Sequence, residues 1–222
     1  MFGQIEKYRQ QYQQNRTVTI KNLFSDEDAN LIWEDYKSHK GFETSFFTGD
    51  KDEEGNTPLQ FAAKGSSNYT LWTTRVNEMM ANGEFSYRFG RTNWRHLELV
   101  RLWESKFFLD SLSYITGNEK QLVWNSDSTF TSKYEEGDFL SIHTDQNHGR
   151  VAFVYQITKD WLPQNGGLFQ RLPDWKNIDK TVVPQFNQLT LFDVSGEGVP
   201  HMVTSIANGV KNVRMGYSGW FV

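Results

Sequence analysis

The 222-residue sequence contains no cysteine. This absence excludes disulfides, zinc ribbons, iron–sulfur clusters ligated by thiolates, and thiol nucleophiles. A metal ion in this protein would therefore have to be bound by histidine, aspartate, glutamate or other oxygen donors.

Long apolar runs are also missing. No stretch approaches the roughly 18 apolar residues that cross a bilayer, and the N-terminal sequence MFGQIEKYRQQYQQ lacks the apolar core of a signal peptide. We therefore expect no membrane association and a cytoplasmic location. The formal net charge of −4 further indicates that nucleic acid is not a partner, since nucleic-acid-binding surfaces are usually basic.

Aromatic residues are plentiful by contrast. They make up 15% of the chain and include 8 Trp and 17 Phe. A few large side chains can fill a core that has a modest number of aliphatic ones. The length fits one domain, and it leaves the oligomeric state open.

The first half of the chain has mostly helical patterns. Apolar residues at helical spacing predict three helices: one with Phe2, Ile5, Tyr8 and Tyr12, one capped by Ser25 with Ala29, Ile32, Trp33 and Tyr36 on its buried face, and one over 97–116 ended by Gly117. Residues 17–20 predict a strand. The polar segment 48–58 is typical of a solvated connection, and a mobile lid over a pocket is the alternative.

After Gly117 the pattern changes to short β-rich segments separated by turn-forming residues. These segments are 121–124, 128–134, 139–144, 151–157, 167–171, 188–193, 201–206 and 212–222. Such spacing predicts a sandwich, jelly roll or barrel. The fold class is therefore mainly β with N-terminal helices (α+β), in a single domain over 1–222 with a helix-rich support at 1–118 and a β core at 119–222.

Three histidines lie in this β-rich half. His143 and Asp145 are two residues apart, so on an extended strand both side chains point to the same side and can reach one ion. His201 follows much later in the chain, and His148 is not taken as a metal ligand. The spacing alone is common, and the alternative is that these are turn or core residues satisfied by hydrogen bonds.

The surrounding motifs make the histidine pattern specific. They are Tyr134-Glu-Glu-Gly-Asp-Phe-Leu upstream, Arg150-Val-Ala-Phe-Val-Tyr and Gly166-Gly167-Leu168-Phe169 downstream, and Arg214-Met-Gly-Tyr-Ser-Gly-Trp-Phe after His201. Together they resemble the prolyl 4-hydroxylase-like branch of the Fe(II)/2-oxoglutarate-dependent oxygenases. The resemblance covers the chain from about Lys120 to its end.

The resemblance implies a double-stranded β-helix, a jelly-roll or cupin-like core. It implies that His143, Asp145 and His201 hold Fe(II) as a facial triad, which leaves iron positions open. The cosubstrates would be 2-oxoglutarate and O2, with ascorbate as a further candidate. The expected reaction is hydroxylation of an unactivated C–H bond with decarboxylation of 2-oxoglutarate to succinate. Halogenating relatives carry a small residue where Asp145 stands, which favours hydroxylation here.

The resemblance also implies a cosubstrate site. Arg214 matches the arginine that grips the far carboxylate of 2-oxoglutarate through two parallel donors; a solvent-facing strand arginine is the alternative. Tyr134 matches a tyrosine near the cosubstrate, or is an aromatic core residue. Gln156 stands where the family tends to have tyrosine, so either Gln156 supplies an amide donor instead or Tyr155 shifts register to take that place. Arg150 and Trp220 are the candidate substrate-side residues; a solvated arginine at the start of a strand is the alternative for Arg150.

Three functions remain open at this point. The first is hydroxylation of a prolyl residue in a protein or peptide, and the second is hydroxylation of a free amino acid or small metabolite. The third is a non-enzymatic jelly-roll binding module. An open aromatic groove beside the metal would favour a peptide. A closed pocket with a second carboxylate-binding Arg or Lys would favour a free amino acid.

Overall fold

The computed structural model describes residues 4–222. Its helices are α1 (Ile5–Asn15), α2 (Asp26–Ser38), α3 (Ser67–Ala81), α4 (Leu97–Trp103) and α5 (Lys106–Thr116), with short 3₁₀ turns at Ser126–Ser128 and Pro163–Asn165. Within these residues, no helix has the length and apolar character to span a membrane.

The strands alternate with these helices in the first half and dominate the second. They are β1 (Thr17–Lys21), β2 (Glu43–Phe47), β3 (Gln60–Ala62), β4 (Tyr87–Thr92), β5 (Phe130–Tyr134), β6 (Phe139–His143), β7 (Val151–Gln156), β8 (Phe169–Arg171), β9 (Lys180–Val182), β10 (Gln188–Asp193), β11 (His201–Val203) and β12 (Arg214–Phe221). The β-rich second half was thus predicted from the sequence, whereas β2, β3, β4, β9 and α3 were not.

Helix boundaries follow side-chain capping. The Ser25 hydroxyl accepts a hydrogen bond from the Asp28 amide at 3.1 Å and so begins α2 as predicted. The single helix predicted over 97–116 is wrong, because Ser105 caps a new helix, α5, by accepting from the Phe108 amide. Gly117 ends α5 with φ of 73°. Phe2, assigned to the first helix, lies outside the described residues.

The strands form one continuous sheet that folds over on itself. The order is β1-β10-β7-β12-β5-β4-β6-β11-β8-β9, and β4 joins the two layers by pairing with both β5 and β6. The layers face each other, since the rings of Phe169 on β8 and Phe192 on β10 have centroids 4.9 Å apart. This arrangement is the double-stranded β-helix that the resemblance implied. Segment 121–124 contributes only the isolated bridge Trp124↔Phe221.

The helices pack on the outside of the larger layer. Alternate residues of β7, β10 and β12, such as Phe153, Leu189 and Tyr217, point outward into a core shared with α1, α2, α4 and α5. The residues between them on the same strands point inward, toward the other layer. Both faces of these strands are therefore buried, and the inward face is free to line a site between the layers. The N-terminal half supplies strands β1–β4 to this body as well as its helices.

Candidate active site

Strand pairing brings the two distant histidines together. His143 is the last residue of β6, His201 is the first of β11, and the two are directly opposite each other in the antiparallel register. Asp145 lies two residues beyond His143. Its Oδ1 is 3.3 Å from Nε2 of His143, and its Oδ2 is 3.3 Å from Nε2 of His201. The ligand atoms of all three lie within 4.8 Å of one another, which suits a single metal ion.

Both imidazoles are held in a fixed orientation. Nδ1 of His143 lies 2.9 Å from the Ser141 carbonyl oxygen, and Nδ1 of His201 lies 2.9 Å from the Val199 carbonyl oxygen. A carbonyl can only accept, so Nδ1 carries the proton and donates in each ring. In the neutral form of each ring the lone pair is then on Nε2, which faces Asp145, as in a metal site whose ligands are oriented by hydrogen bonds from behind.

The electrostatics of the group also suit a metal ion. Burial, reinforced by the facing His201, lowers the pKa of His143, although Asp145 partly offsets this. Burial alone would raise the pKa of Asp145, but the two imidazoles outweigh it and hold that pKa well below its usual range. At neutral pH the group therefore presents a carboxylate and a neutral imidazole, the protonation states that bind metals.

Trp220 contacts this group directly. Its Nε1 donates a hydrogen bond of 3.2 Å to Oδ2 of Asp145. Its indole also stacks on His148, with ring centroids 4.8 Å apart. Trp220, predicted to lie on the substrate side, thus holds the Asp145 carboxylate in place. His148, which was not predicted to be a ligand, lies beside Trp220 in the wall of the site.

A cavity of about 380 Å³ opens beside the three side chains. Its wall includes His143, Asp145, His201, Tyr134, Arg214, Trp220 and His148, together with Arg91 and Phe130, which the sequence did not suggest. Phe47 and Leu59 also line it, so the polar segment 48–58 connects two wall residues. That segment contains no helix or strand, as predicted; a lid role for it stays a prediction.

Arg214 lies in this cavity as a buried cation. Its side chain is 1% exposed, its guanidinium carbon lies 4.7 Å from the centre of the Tyr134 ring, and β12 pairs it directly with Tyr134. Burial lowers its pKa, opposed by Tyr134. Among residues 4–222, Arg214 has no ion-pair partner and its Nε has no hydrogen-bond partner. A buried charge without a counterion is costly, so this arginine is suited to receive an anionic ligand.

The double glycine makes room for this arginine. Gly167 has φ of 63°, and a Cβ there would come within 2.8 Å of Cδ of Arg214. A Cβ at Gly166 would come within 2.0 Å of the Ser205 carbonyl oxygen. Any larger residue would therefore displace Arg214 or its neighbouring segment.

Two predicted residues lie apart from the cavity wall. Gln156 is buried opposite Gly216 on the inward face of β7, and its Oε1 has no hydrogen-bond partner within the described chain, but it is not among the residues that line the cavity. Arg150 is exposed and is likewise absent from the wall. Their cosubstrate and substrate roles stay predictions.

Known proteins are similar to the C-terminal part of this chain in sequence and to the chain in fold. Residues 129–222 match the model of the 2OG-Fe(II) oxygenase superfamily. Prolyl 3-hydroxylase OGFOD1 of Mus musculus is 33% identical over 97 residues, which is 40% of this chain but 17% of that protein. The chain thus spans a small part of this curated relative.

Solved structures with the same fold cover nearly the whole chain. An oxidoreductase of the 2OG-Fe(II) oxygenase family from Burkholderia pseudomallei has a TM-score of 0.65 at 12% identity, covering 100% of this chain and 92% of its own. A prolyl-4-hydroxylase from Pseudomonas putida has a TM-score of 0.56 at 13% identity, covering 98% of each chain. The matched region contains the whole His–Asp–His group and Arg214. This chain is therefore similar to the 2OG-Fe(II) oxygenase superfamily in the sequence of its C-terminal region and in its fold.

Proposed function

We propose that this protein is an Fe(II)- and 2-oxoglutarate-dependent hydroxylase whose substrate is a prolyl residue in a protein or peptide. It would insert oxygen into an unactivated C–H bond while 2-oxoglutarate is decarboxylated to succinate. The observation that carries this proposal is that one cavity contains both a His–Asp–His group and a buried arginine to which residues 4–222 supply no counterion.

The donor set fits ferrous iron. Two imidazoles and one carboxylate form the combination that non-haem iron oxygenases use, with positions left open for other ligands. In this chain His143, Asp145 and His201 would hold the ion, which when bound supplies the activation of O2. The carbonyl acceptors behind the two imidazoles and the indole behind the carboxylate keep the three ligands in place without the metal.

The fit to 2-oxoglutarate rests on Arg214. A guanidinium can donate two parallel hydrogen bonds to a carboxylate, and the far carboxylate of the cosubstrate would supply the counterion that the described residues do not give Arg214. Tyr134 packs against the guanidinium, so it restricts the directions from which a carboxylate can approach. Gln156, with its unpartnered oxygen on the same inward face, is a further candidate contact.

The choice of a prolyl substrate is supported by the relatives, whose printed names describe prolyl hydroxylases. Hydroxylation of a free amino acid is the second candidate, and it is favoured by the second arginine, Arg91, in the cavity wall. The binding-module alternative predicts neither iron binding nor 2-oxoglutarate turnover.

Mass spectrometry can separate these candidates. The protein would be incubated with Fe(II), ascorbate, O2 and 2-oxoglutarate, together with proline-containing peptides or free amino acids. We expect succinate and a gain of about 16 mass units, one oxygen atom, on a peptide proline. A gain confined to free amino acids would favour the second candidate, and the absence of 2-oxoglutarate consumption with every substrate would contradict the proposal.

The Trp220 indole provides a test of metal positioning. Trp220→Phe keeps an aromatic ring against His148 but removes the hydrogen bond to Asp145. We expect Fe(II) affinity to fall by roughly 10-fold or more, because partners behind metal ligands typically contribute that much. Titration with Fe(II) under anaerobic conditions measures the change.

Trp124→Phe is the matched control. Trp124 donates a comparable hydrogen bond of 2.9 Å to Oγ1 of Thr129, outside the cavity wall. Its loss should lower the melting temperature without changing Fe(II) affinity. Equal metal affinity in Trp220→Phe and the wild type would show that the indole has no role at the metal.

A further inference from the structure

Arg91 is a second cation on the inward face of the cavity. It lies on β4 opposite Ser132 of β5, which in turn lies opposite Gly216 of β12. Residues opposite each other in antiparallel strands point to the same face. Arg214 lies in the next inward-facing row, opposite Tyr134. The two arginines therefore share a face and a cavity but occupy different rows and strands.

Arg91 has no counterion within the described part of the chain. Its guanidinium carbon lies 4.0 Å from the centre of the Phe130 ring, and residues 4–222 supply it with neither an ion pair nor a side-chain hydrogen bond. Burial lowers its pKa, with Tyr87 opposing. Stacking on an aromatic ring leaves the N–H edge of a guanidinium free to bind an anion.

Two other arginines with little solvent exposure are paired with carboxylates. Arg88, on the same strand but the opposite face, has Nε 2.6 Å from Oδ1 of Asp138. Arg171 has Nε 2.9 Å from Oδ1 of Asp179. Arg91 is half-buried yet has no such carboxylate among residues 4–222, which is the arrangement expected if its carboxylate comes from a ligand.

Arg91 is connected to the metal-site residues by a short series of contacts. The Phe130 ring beneath it lies 6.5 Å from the Trp220 ring, centroid to centroid, and Trp220 donates to Asp145. A ligand held above Phe130 would therefore extend along the wall toward the His–Asp–His group. Because Arg214 is fully buried while Arg91 is half-exposed, Arg91 is the arginine that a molecule entering the cavity from solvent reaches more easily.

We propose that Arg91 anchors the substrate by pairing with a substrate carboxylate. This inference rests on the proposed function and narrows its substrate class to molecules that carry a carboxylate near the hydroxylated carbon. The carboxylate is either the main-chain carboxylate of a free amino acid or the side chain of an acidic residue beside the target in a peptide. Neutral and basic substrates of the same shape are excluded.

The test uses two pairs of probes that differ only in charge. The first pair is L-proline and L-prolinamide, and the second is the capped peptides Ala-Pro-Glu and Ala-Pro-Gln. Stimulated succinate formation is measured with Fe(II), and binding is measured by tryptophan fluorescence with Zn(II) in place of iron, with and without 2-oxoglutarate. We expect the wild type to prefer the acid of one pair, and the pair that shows the preference identifies the source of the carboxylate.

The variant Arg91→Gln should remove this preference. We expect its KM and dissociation constant for the preferred acid to rise 10-fold or more, with the 2-oxoglutarate requirement unchanged, as loss of a charge-assisted pair predicts. The matched control Arg75→Gln removes an exposed arginine on α3 and should change neither value.

Several results would overturn the inference. The first is equal use of the acid and neutral probes by the wild type, and the second is that no carboxylate probe binds. The third is that Arg91→Gln raises the 2-oxoglutarate requirement by as large a factor as it raises the KM for the acid probe. Failure of the proposed function is a different result. In that case succinate is never formed and 2-oxoglutarate does not bind, while the zinc-loaded protein still binds the acid probe through Arg91.

Discussion

His143→Ala and Asp145→Ala should each abolish 2-oxoglutarate-dependent succinate formation while the protein stays folded. Each change removes one of three side chains whose ligand atoms lie within 4.8 Å of one another, and two remaining ligands hold iron too weakly for turnover. Succinate yield, bound iron and the circular dichroism melting curve are measured on the same preparations.

We expect both variants to stay folded because these side chains line the cavity and are not part of the hydrophobic core. Asp145→Asn is the sharper variant, since it keeps the size of the side chain and an acceptor for the Trp220 indole but removes the negative charge. The control is His39→Ala, which removes an imidazole stacked on Trp94, outside the cavity wall. Undiminished turnover in either alanine variant, with His39→Ala equally active, would refute the metal assignment.

Arg214→Ala should raise the apparent 2-oxoglutarate requirement by about 10- to 100-fold, since loss of a charge-assisted hydrogen-bonded pair costs on the order of 1.5–3 kcal/mol. Arg214→Lys should recover part of this, because it restores the charge without the two parallel donors. The measurement is the 2-oxoglutarate dependence of succinate formation, with bound iron determined in parallel.

Two further observations make this result specific to the cosubstrate. Iron content should stay at the wild-type level, since Arg214 is not part of the His–Asp–His group that could hold the ion. Without 2-oxoglutarate, Arg214→Met should melt no lower than the wild type, because it removes a buried cation that has no counterion among residues 4–222. An unchanged 2-oxoglutarate requirement in Arg214→Ala would move the cosubstrate to another part of the cavity.

The candidate metal group could be predicted because its signal is local. His143 and Asp145 are two residues apart on a β-rich segment, and that spacing directs both to one side of the chain whatever the rest of the fold does. The approach of His201 could be predicted only through the family resemblance. Its position opposite His143 depends on the pairing of β11 with β6, which neither segment specifies by itself.

Arg91 could not be predicted, and the reason is the strand that carries it. Residues 87–92 alternate apolar and polar residues only over Tyr87-Arg88-Phe89, because Gly90 and Arg91 break the pattern after that. The strand forms because β2, β5 and β6 pair with it. The helical region was mispredicted for a similar reason. The periodicity of apolar residues continues through 97–116, but Ser105 caps a new helix there and so divides the segment into α4 and α5.

The sequence alone determined the chemistry available to this protein. Without cysteine, any metal must be held by nitrogen and oxygen donors, and short alternating segments require a β body with a buried inner face. Only the tertiary structure decided which of these groups meet. It placed around one cavity a His–Asp–His group and two arginines that have no ion pair with any described residue. Pairing between strands distant in the chain is set by closure and packing of the whole sheet rather than by local propensity.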